Sequence, residues 1–247
     1  MNFQNAILGI FQKMIASKAN DHEGFYLLQN LMAYYPPQEM QASMKQIFAL
    51  LFQRLSLSKT AKYVKGIVVF FCYYTSKMGA SALVELIDQI QANMFGMVVD
   101  RVFIPDMAKA SNDLERKTVA VGISKILCEC PAMLAPPYNQ YWSRLLQALI
   151  ELFELPPDKT TLEGDNFVEP DDTTAGYQAA FSQLSFAQPK TQDFLADVTD
   201  GRKFLADSLA KLSQTRPGEV PQLVAALGDN HKQALQKYCD QYGVRIV

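Results

Sequence analysis

The stretch MKQIFALLFQRL, residues 44–55, decides the fold. Its apolar residues Met44, Ile47, Phe48, Leu51, Phe52 and Leu55 recur at steps of three and four. Such steps place them along one side of an α-helix. The stretch YNQYWSRLLQALIELFEL, residues 138–155, repeats the pattern with Tyr138, Tyr141, Trp142, Leu145, Leu149, Leu152 and Phe153. Sustained strict alternation, the mark of half-buried strands, is hard to find along the chain. The periodicity therefore predicts an all-α protein.

Punctuation between the stripes sets the expected helices. Pro36-Pro37 separates a helix near 22–34 from one near 38–57. Gly79 divides a helix near 59–77 from one near 80–104, and Pro105 should kink or stop the latter. Ser111 or Asn112 can cap a helix to about Cys130, and Pro136-Pro137 precede one near 138–154. Shorter helices are expected near 176–186, 201–214, 217–227 and 229–242. The first six after residue 22 form pairs, 22–34 with 38–57, 59–77 with 80–104, and 112–130 with 138–154. Pairs starting at 22, 59 and 112 approach the ~40–47 residue period of HEAT and armadillo repeats. A pair this short must stack on its neighbours to bury its stripe. The predicted architecture is an α-solenoid, with a compact helical bundle as the alternative. The expected organisation is HEAT repeats over 1–155, an acidic loop over 156–175 and HEAT-like helices over 176–247. The first helix, near 2–16, is expected to complete a repeat whose first half precedes this sequence.

Composition narrows the function. The chain has 247 residues, 49% hydrophobic, with a formal charge of −2. No global basic field is present, which argues against nucleic acid as partner. Cys72, Cys128, Cys130 and Cys239 are few and irregularly spaced, unlike a secreted disulfide framework. The start MNFQNAILGIFQKM lacks the pattern of a signal peptide. The most apolar run, GIVVFFCYYT at 66–75, is well short of the roughly 20 residues that span a bilayer. It reads as a buried core helix, and no membrane contact is expected.

Catalytic signatures are missing. No phosphate-binding glycine loop, zinc-protease helix, nucleophile elbow or C-x-x-C occurs. Cys128-Glu129-Cys130 has the wrong spacing for a zinc ribbon. Ser56-x-x-Lys59 and Ser208-x-x-Lys211 match the serine–lysine pattern without its companion motifs. No enzyme activity, metal or cofactor is expected. Asn20-Asp21-His22-Glu23 looks catalytic but reads as a helix start. Asn20 suits the N-cap and Glu23 the reciprocal position of a capping box. Asp21 and Glu23 also place negative charge at the positive end of the helix dipole.

Two charged features remain as candidate partner-binding sites. Between Glu154 and Gly176 the chain has no helical stripe and carries seven acids against one base, Lys159. Its candidate residues are Asp158, Glu163, Asp165, Glu169, Asp171 and Asp172. This is either a solvated linker or a docking surface for a basic segment. Lys59, Lys62 and Lys65 share one broad helix face, and Arg116, Lys117 and Lys125 form another. Either face could be plainly solvated or could meet an acidic partner.

The blocks GIFQKMIASKANDHEGFYLLQNL, KQIFALLFQRL, MFGMVVDRVFIP, AVGISKILCECPAML, LFELPPD and GYQAAFSQLSFA resemble the C-terminal part of an exportin family. These exportins belong to the importin-beta (karyopherin) superfamily, and the similarity runs from about Leu8 to the C-terminus, with PKTQDFLADVTD matching loosely. The resemblance implies a right-handed superhelix of HEAT repeats. It also implies binding of importin-alpha together with GTP-bound Ran, contact with nuclear pore proteins, and shuttling between nucleus and cytoplasm. Family members are several times longer and place much of their Ran grip in N-terminal repeats. A HEAT-repeat scaffold unrelated to transport is the alternative function.

Overall fold

The computed structural model describes residues 3–156 and 192–247. Among the described residues every regular element is helical. Helices α1 (Phe3–Ala16), α2 (Asp21–Tyr34), α3 (Pro37–Leu57) and α4 (Ala61–Met78) come first. They are followed by α5 (Ala80–Asp88), α6 (Met94–Val98), α7 (Asp113–Glu129) and α8 (Trp142–Glu154). The C-terminal part holds α9 (Gly201–Thr215), α10 (Glu219–Ala225) and α11 (Asp229–Tyr242). The acidic candidates, and the helix expected near 176–186, lie outside the described residues.

The pairs read from the sequence are present: α2 with α3, α4 with α5–α6, and α7 with α8. Their first helices stack side by side, α2 on α4 and α4 on α7, and α9 continues the row against α7. The second helices form a parallel layer, α3 against α5 and α8 against the turns that follow α6. This two-layer stacking is an α-solenoid, and the compact bundle is set aside. One contiguous apolar cluster runs through it, from Phe11 and Phe25 to Leu235 and Tyr238.

Helix α4 occupies the middle of the row. It contains the run read as a buried core helix, and Val64, Ile67, Val68, Phe70, Phe71, Cys72 and Thr75 are all essentially inaccessible. A helix apolar all round must be covered all round, and α2, α3, α5 and α7 do so. Its aromatic side chains interlock with the second layer: Phe48 stacks on Phe71 with ring centroids 4.8 Å apart. At the seam with α7 the backbones touch. A Cβ placed on Gly122 would lie 2.4 Å from Cys72 Cα. The seam with α2 is similar, where a Cβ on Gly66 would meet the Phe25 ring at 2.4 Å.

Local chemistry accounts for most helix ends. Thr60 Oγ1 accepts the Tyr63 N–H at the start of α4 (3.2 Å). Asn112, of the two residues that could cap α7, accepts the Glu115 N–H at 2.9 Å. Gly79 adopts φ +94°, which ends α4 where a side chain would be strained.

The helix expected over 80–104 is broken. Asn93 takes a left-handed conformation at φ 58°, and the Asp88 carboxylate turns back to accept the Phe95 N–H (2.9 Å). Asparagine tolerates this geometry because its short polar side chain hydrogen-bonds locally. Beyond α6 the chain runs through a π-helical stretch, Val99–Phe103, into Ile104–Asp106 and a 3₁₀ turn, Met107–Lys109. Pro105 causes this widening. It has no N–H to return to the Arg101 carbonyl, and its ring would crowd that carbonyl in a regular helix. Lys59 donates to the freed Arg101 oxygen instead, at 3.2 Å.

The Gly122 contact generates a sharp expectation. Gly122→Ala must push α7 off α4 and should lower stability by about 3 kcal/mol. Gly9→Ala, at a helix position with nothing within 4 Å, should instead raise it by about 0.5–1 kcal/mol. Urea unfolding of the two variants checks both signs.

Candidate functional site

The Asn20–Glu23 cluster resolves into a structural joint. Asn20 occupies the N-cap position, but at φ −114°, ψ 7° its side chain makes no capping bond. A side-chain cap needs extended backbone to aim the oxygen at the first turn; Asn20 lacks it, so the capping box does not form. Glu23 meets His22 at 3.3 Å. Asp21 turns inward, 1% exposed, toward Arg54, with Nη2–Oδ2 at 3.3 Å. Arg54 is the hub of the first two repeats. Its Nε donates to the Ile15 carbonyl (3.1 Å), its Nη1 to the Ser58 carbonyl (2.6 Å), and its guanidinium covers the Tyr63 ring at 4.7 Å. One fork thereby ties the end of α1, the start of α2, the end of α3 and the start of α4. Burial pushes the Asp21 carboxyl above its usual range, and the Arg54 charge offsets that only in part.

The lysine face on α4 is committed largely to neighbouring helices. Lys59 pairs with buried Asp106 at 2.9 Å, and Lys109 reaches the same carboxylate at 2.7 Å. Lys65 pairs with Glu115 at 3.1 Å, joining the starts of α4 and α7. Lys62 stands near enough to Asp21 and His22 that its charge favours the ionised carboxylate and the neutral imidazole. The three lysines stay partly accessible at the start of α4, with the ion-paired Lys59 (side chain 50% exposed) more open than Lys65 (24%).

The second basic group does different work. Arg116 Nη1 donates to the Pro156 carbonyl at 2.9 Å and the Leu155 carbonyl at 3.4 Å. Lys117 Nζ bonds the Asp193 carboxylate at 2.5 Å and the Leu195 carbonyl at 3.0 Å. Two consecutive residues of α7 therefore hold the last described residue before 157–191 and the first ones after it. Lys125 lies apart, 3.9 Å from Glu129 on its own helix. In the sequence, residues 192–195 carry little signal of this contact beyond Phe194 and Leu195, two apolar neighbours in a polar stretch. Past them, Asp200 caps α9 by accepting the Arg202 N–H (2.8 Å). Burial alone would raise the Asp200 carboxyl, but the Tyr242 hydroxyl and the Arg202 and Lys203 N–H groups hold it below the usual carboxylate range.

No group of three or more His, Cys, Asp or Glu among the described residues could hold a metal ion. Ser56 donates to the Gln53 carbonyl (2.7 Å) while Lys59 faces Asp106, so that serine–lysine pair is not coupled. Ser208 and Lys211 line a cleft of about 90 Å³ between α7 and α9, beside Cys128. The four cysteines are free thiols, and burial pushes all of them above the usual thiol range. No helix among the described residues is long and apolar enough to cross a membrane.

The family described as "CAS/CSE protein, C-terminus" matches residues 1–238. The chain belongs to the CAS/CSE family. Exportin-2 of Drosophila melanogaster is 57% identical over 98% of the chain, and Exportin-2 of Homo sapiens is 48% identical over 98%. Each match covers 25% of the relative, so the chain spans about a quarter of its CAS/CSE relatives. Among solved structures, the exportin Cse1 in its cargo-free, cytoplasmic state superposes with a TM-score of 0.71. That match has 26% sequence identity and covers 94% of this chain and 24% of the other.

Two measurements test the joints. Arg54→Met leaves Asp21 buried without its partner and should cost about 3–5 kcal/mol. The double variant with Asp21→Asn should recover part of that loss in a urea double-mutant cycle. The lowered Asp200 carboxyl stabilises the fold above its unfolded pKa, about 3.9, and this contribution disappears as pH falls through the lower folded value. The stability gap between the parent and Asp200→Asn should therefore be constant near neutrality and close below about pH 4.

Proposed function

We propose that this chain supplies the C-terminal HEAT repeats of an exportin that returns importin-alpha from nucleus to cytoplasm together with GTP-bound Ran. The observation that carries the reading is the near-complete coverage by Exportin-2 relatives, at 48% identity or better for the two compared. The role is protein binding rather than catalysis, and the shuttling receptor meets nuclear pore proteins in passage. The coupling of Ran and cargo follows from shared preference for one curvature of the array. Each partner shifts the equilibrium only by its differential affinity for the two curvatures.

Within that role, the acidic segment is proposed as a contact for a basic segment of importin-alpha. The acids concerned are Asp158, Glu163, Asp165, Glu169, Asp171 and Asp172. Opposite charge draws such a segment in, and salt screens it over about 10 Å at 0.1 M. Lys59, just before α4, and Lys62 and Lys65 in its first turns are proposed as a second contact, for an acidic surface. Their existing ion pairs would have to be exchanged, which favours the acidic segment as the stronger of the two.

The test joins this chain to the N-terminal repeats of its relatives and captures importin-alpha with Ran in either nucleotide state. Capture with GTP-bound Ran and little with the GDP form is the expected result. Binding indifferent to the nucleotide would point to a scaffold instead. Changing the six acids to Asn or Gln should weaken capture more at low salt than at high salt. Unchanged capture at low salt removes the segment from the mechanism while leaving the transport role standing.

A further inference from the structure

Residues 192–195 cross three successive first helices. The Gln192 amide donates to the Tyr34 hydroxyl at the end of α2 (2.5 Å). The Phe194 ring covers Tyr73 of α4, with centroids 5.3 Å apart, and Lys77 of α4 donates to the Phe194 carbonyl at 3.3 Å. Lys117 of α7 takes the Asp193 carboxylate and the Leu195 carbonyl together. Leu195 is buried, and its own N–H returns to Asp193 Oδ1 at 3.0 Å. A short extended piece, folded on itself by that bond, is thus held by side chains from α2, α4 and α7.

Repeats of a solenoid normally constrain only their neighbours. With α4 standing between α2 and α7, a piece bonded to all three constrains both seams at once. Rotation at either seam lengthens at least one of these contacts. The outer bonds are of the breakable kind: Tyr34 is 69% exposed and Lys77 is exposed, so water competes for each of them, while the Lys117–Asp193 pair is partly buried (side chains 14% and 35% exposed). The interhelical packing beneath, by contrast, is closed by Gly66 and Gly122.

We propose that residues 192–195 form a strap that sets the relative rotation of α2, α4 and α7, and that releasing it lets this part of the array change curvature. The strap lies directly after residues 157–191, and Lys117, which holds it, adjoins Arg116, which holds Pro156.

The experiment uses the full 247-residue chain carrying Asp193→Ala and Phe194→Ala, with Asp197→Asn as a control at an exposed position beyond the strap. Hydrogen–deuterium exchange should rise about tenfold in the last turns of α2 and α4, as expected for local opening rather than global unfolding. Exchange in α3 and α8 should be unchanged, and small-angle scattering should show an altered radius of gyration. If the double variant does not fold, Lys77→Gln alone decides, with a smaller rise confined to the same turns. Exchange that stays at the parent level, or that rises equally in every helix, overturns the proposal.

Discussion

The close approach of α4 and α7 at Cys72 and Gly122 is the constraint on which the rest depends. Backbones this near can meet only where one residue has no side chain, so the seam has one register. In that register Lys65 faces Glu115, the row of first helices runs parallel, and each chain return must cross to the second layer. The repeat geometry is therefore a consequence of helices that must bury a nearly all-apolar α4 from several sides. Dispersion contacts among tightly packed groups provide the cohesion. The glycines determine how near the helices come.

The charged groups serve a different purpose. Arg54–Asp21 is a buried pair, and such pairs contribute little net stability because both ions lose water. Their value lies in direction: Arg54 reaches carbonyls of α1 and α3 while holding α2, so it fixes how three helix ends meet. Lys59 plays a similar part at the helix that Pro105 disrupts. The carbonyl that proline leaves unpaired is satisfied from the start of the same repeat's first helix, which converts a local defect into a tie between its two halves. In α7, Arg116 and Lys117 use the same chemistry on backbone carbonyls and one carboxylate to hold the chain on both sides of the acidic segment.

Much of the fold was legible because it rests on local rules. The 3.6-residue stripes at 44–55 and 138–155, the proline pairs and Gly79 report on their own segments, and Asn112 caps where its type and position say it should. The buried reading of 66–75 needed only its length and apolarity. The failures have a common cause. Asn20 suits a cap by its neighbours in sequence, but its backbone is not extended, and Asp21 beside it is turned inward to Arg54, far along the chain. The break near Asn93 has no strong signal, since asparagine is tolerated in helices and in left-handed turns alike. The ion pairs of Lys59 and Lys65 are not legible in the sequence because their acids, Asp106 and Glu115, lie far along the chain.

The sequence by itself determined the helical class, the paired repeat and the kinship with the CAS/CSE family, because periodicity, turn residues and extended similarity are written along one dimension. Tertiary structure alone decided which charges are spent holding helices together and which remain open. It also brought Tyr34, Tyr73, Lys77 and Lys117 onto one short segment. Those choices depend on distances between residues remote in the chain. They are settled by how closely α2, α4 and α7 can pack, and the glycines at their seams fix that distance.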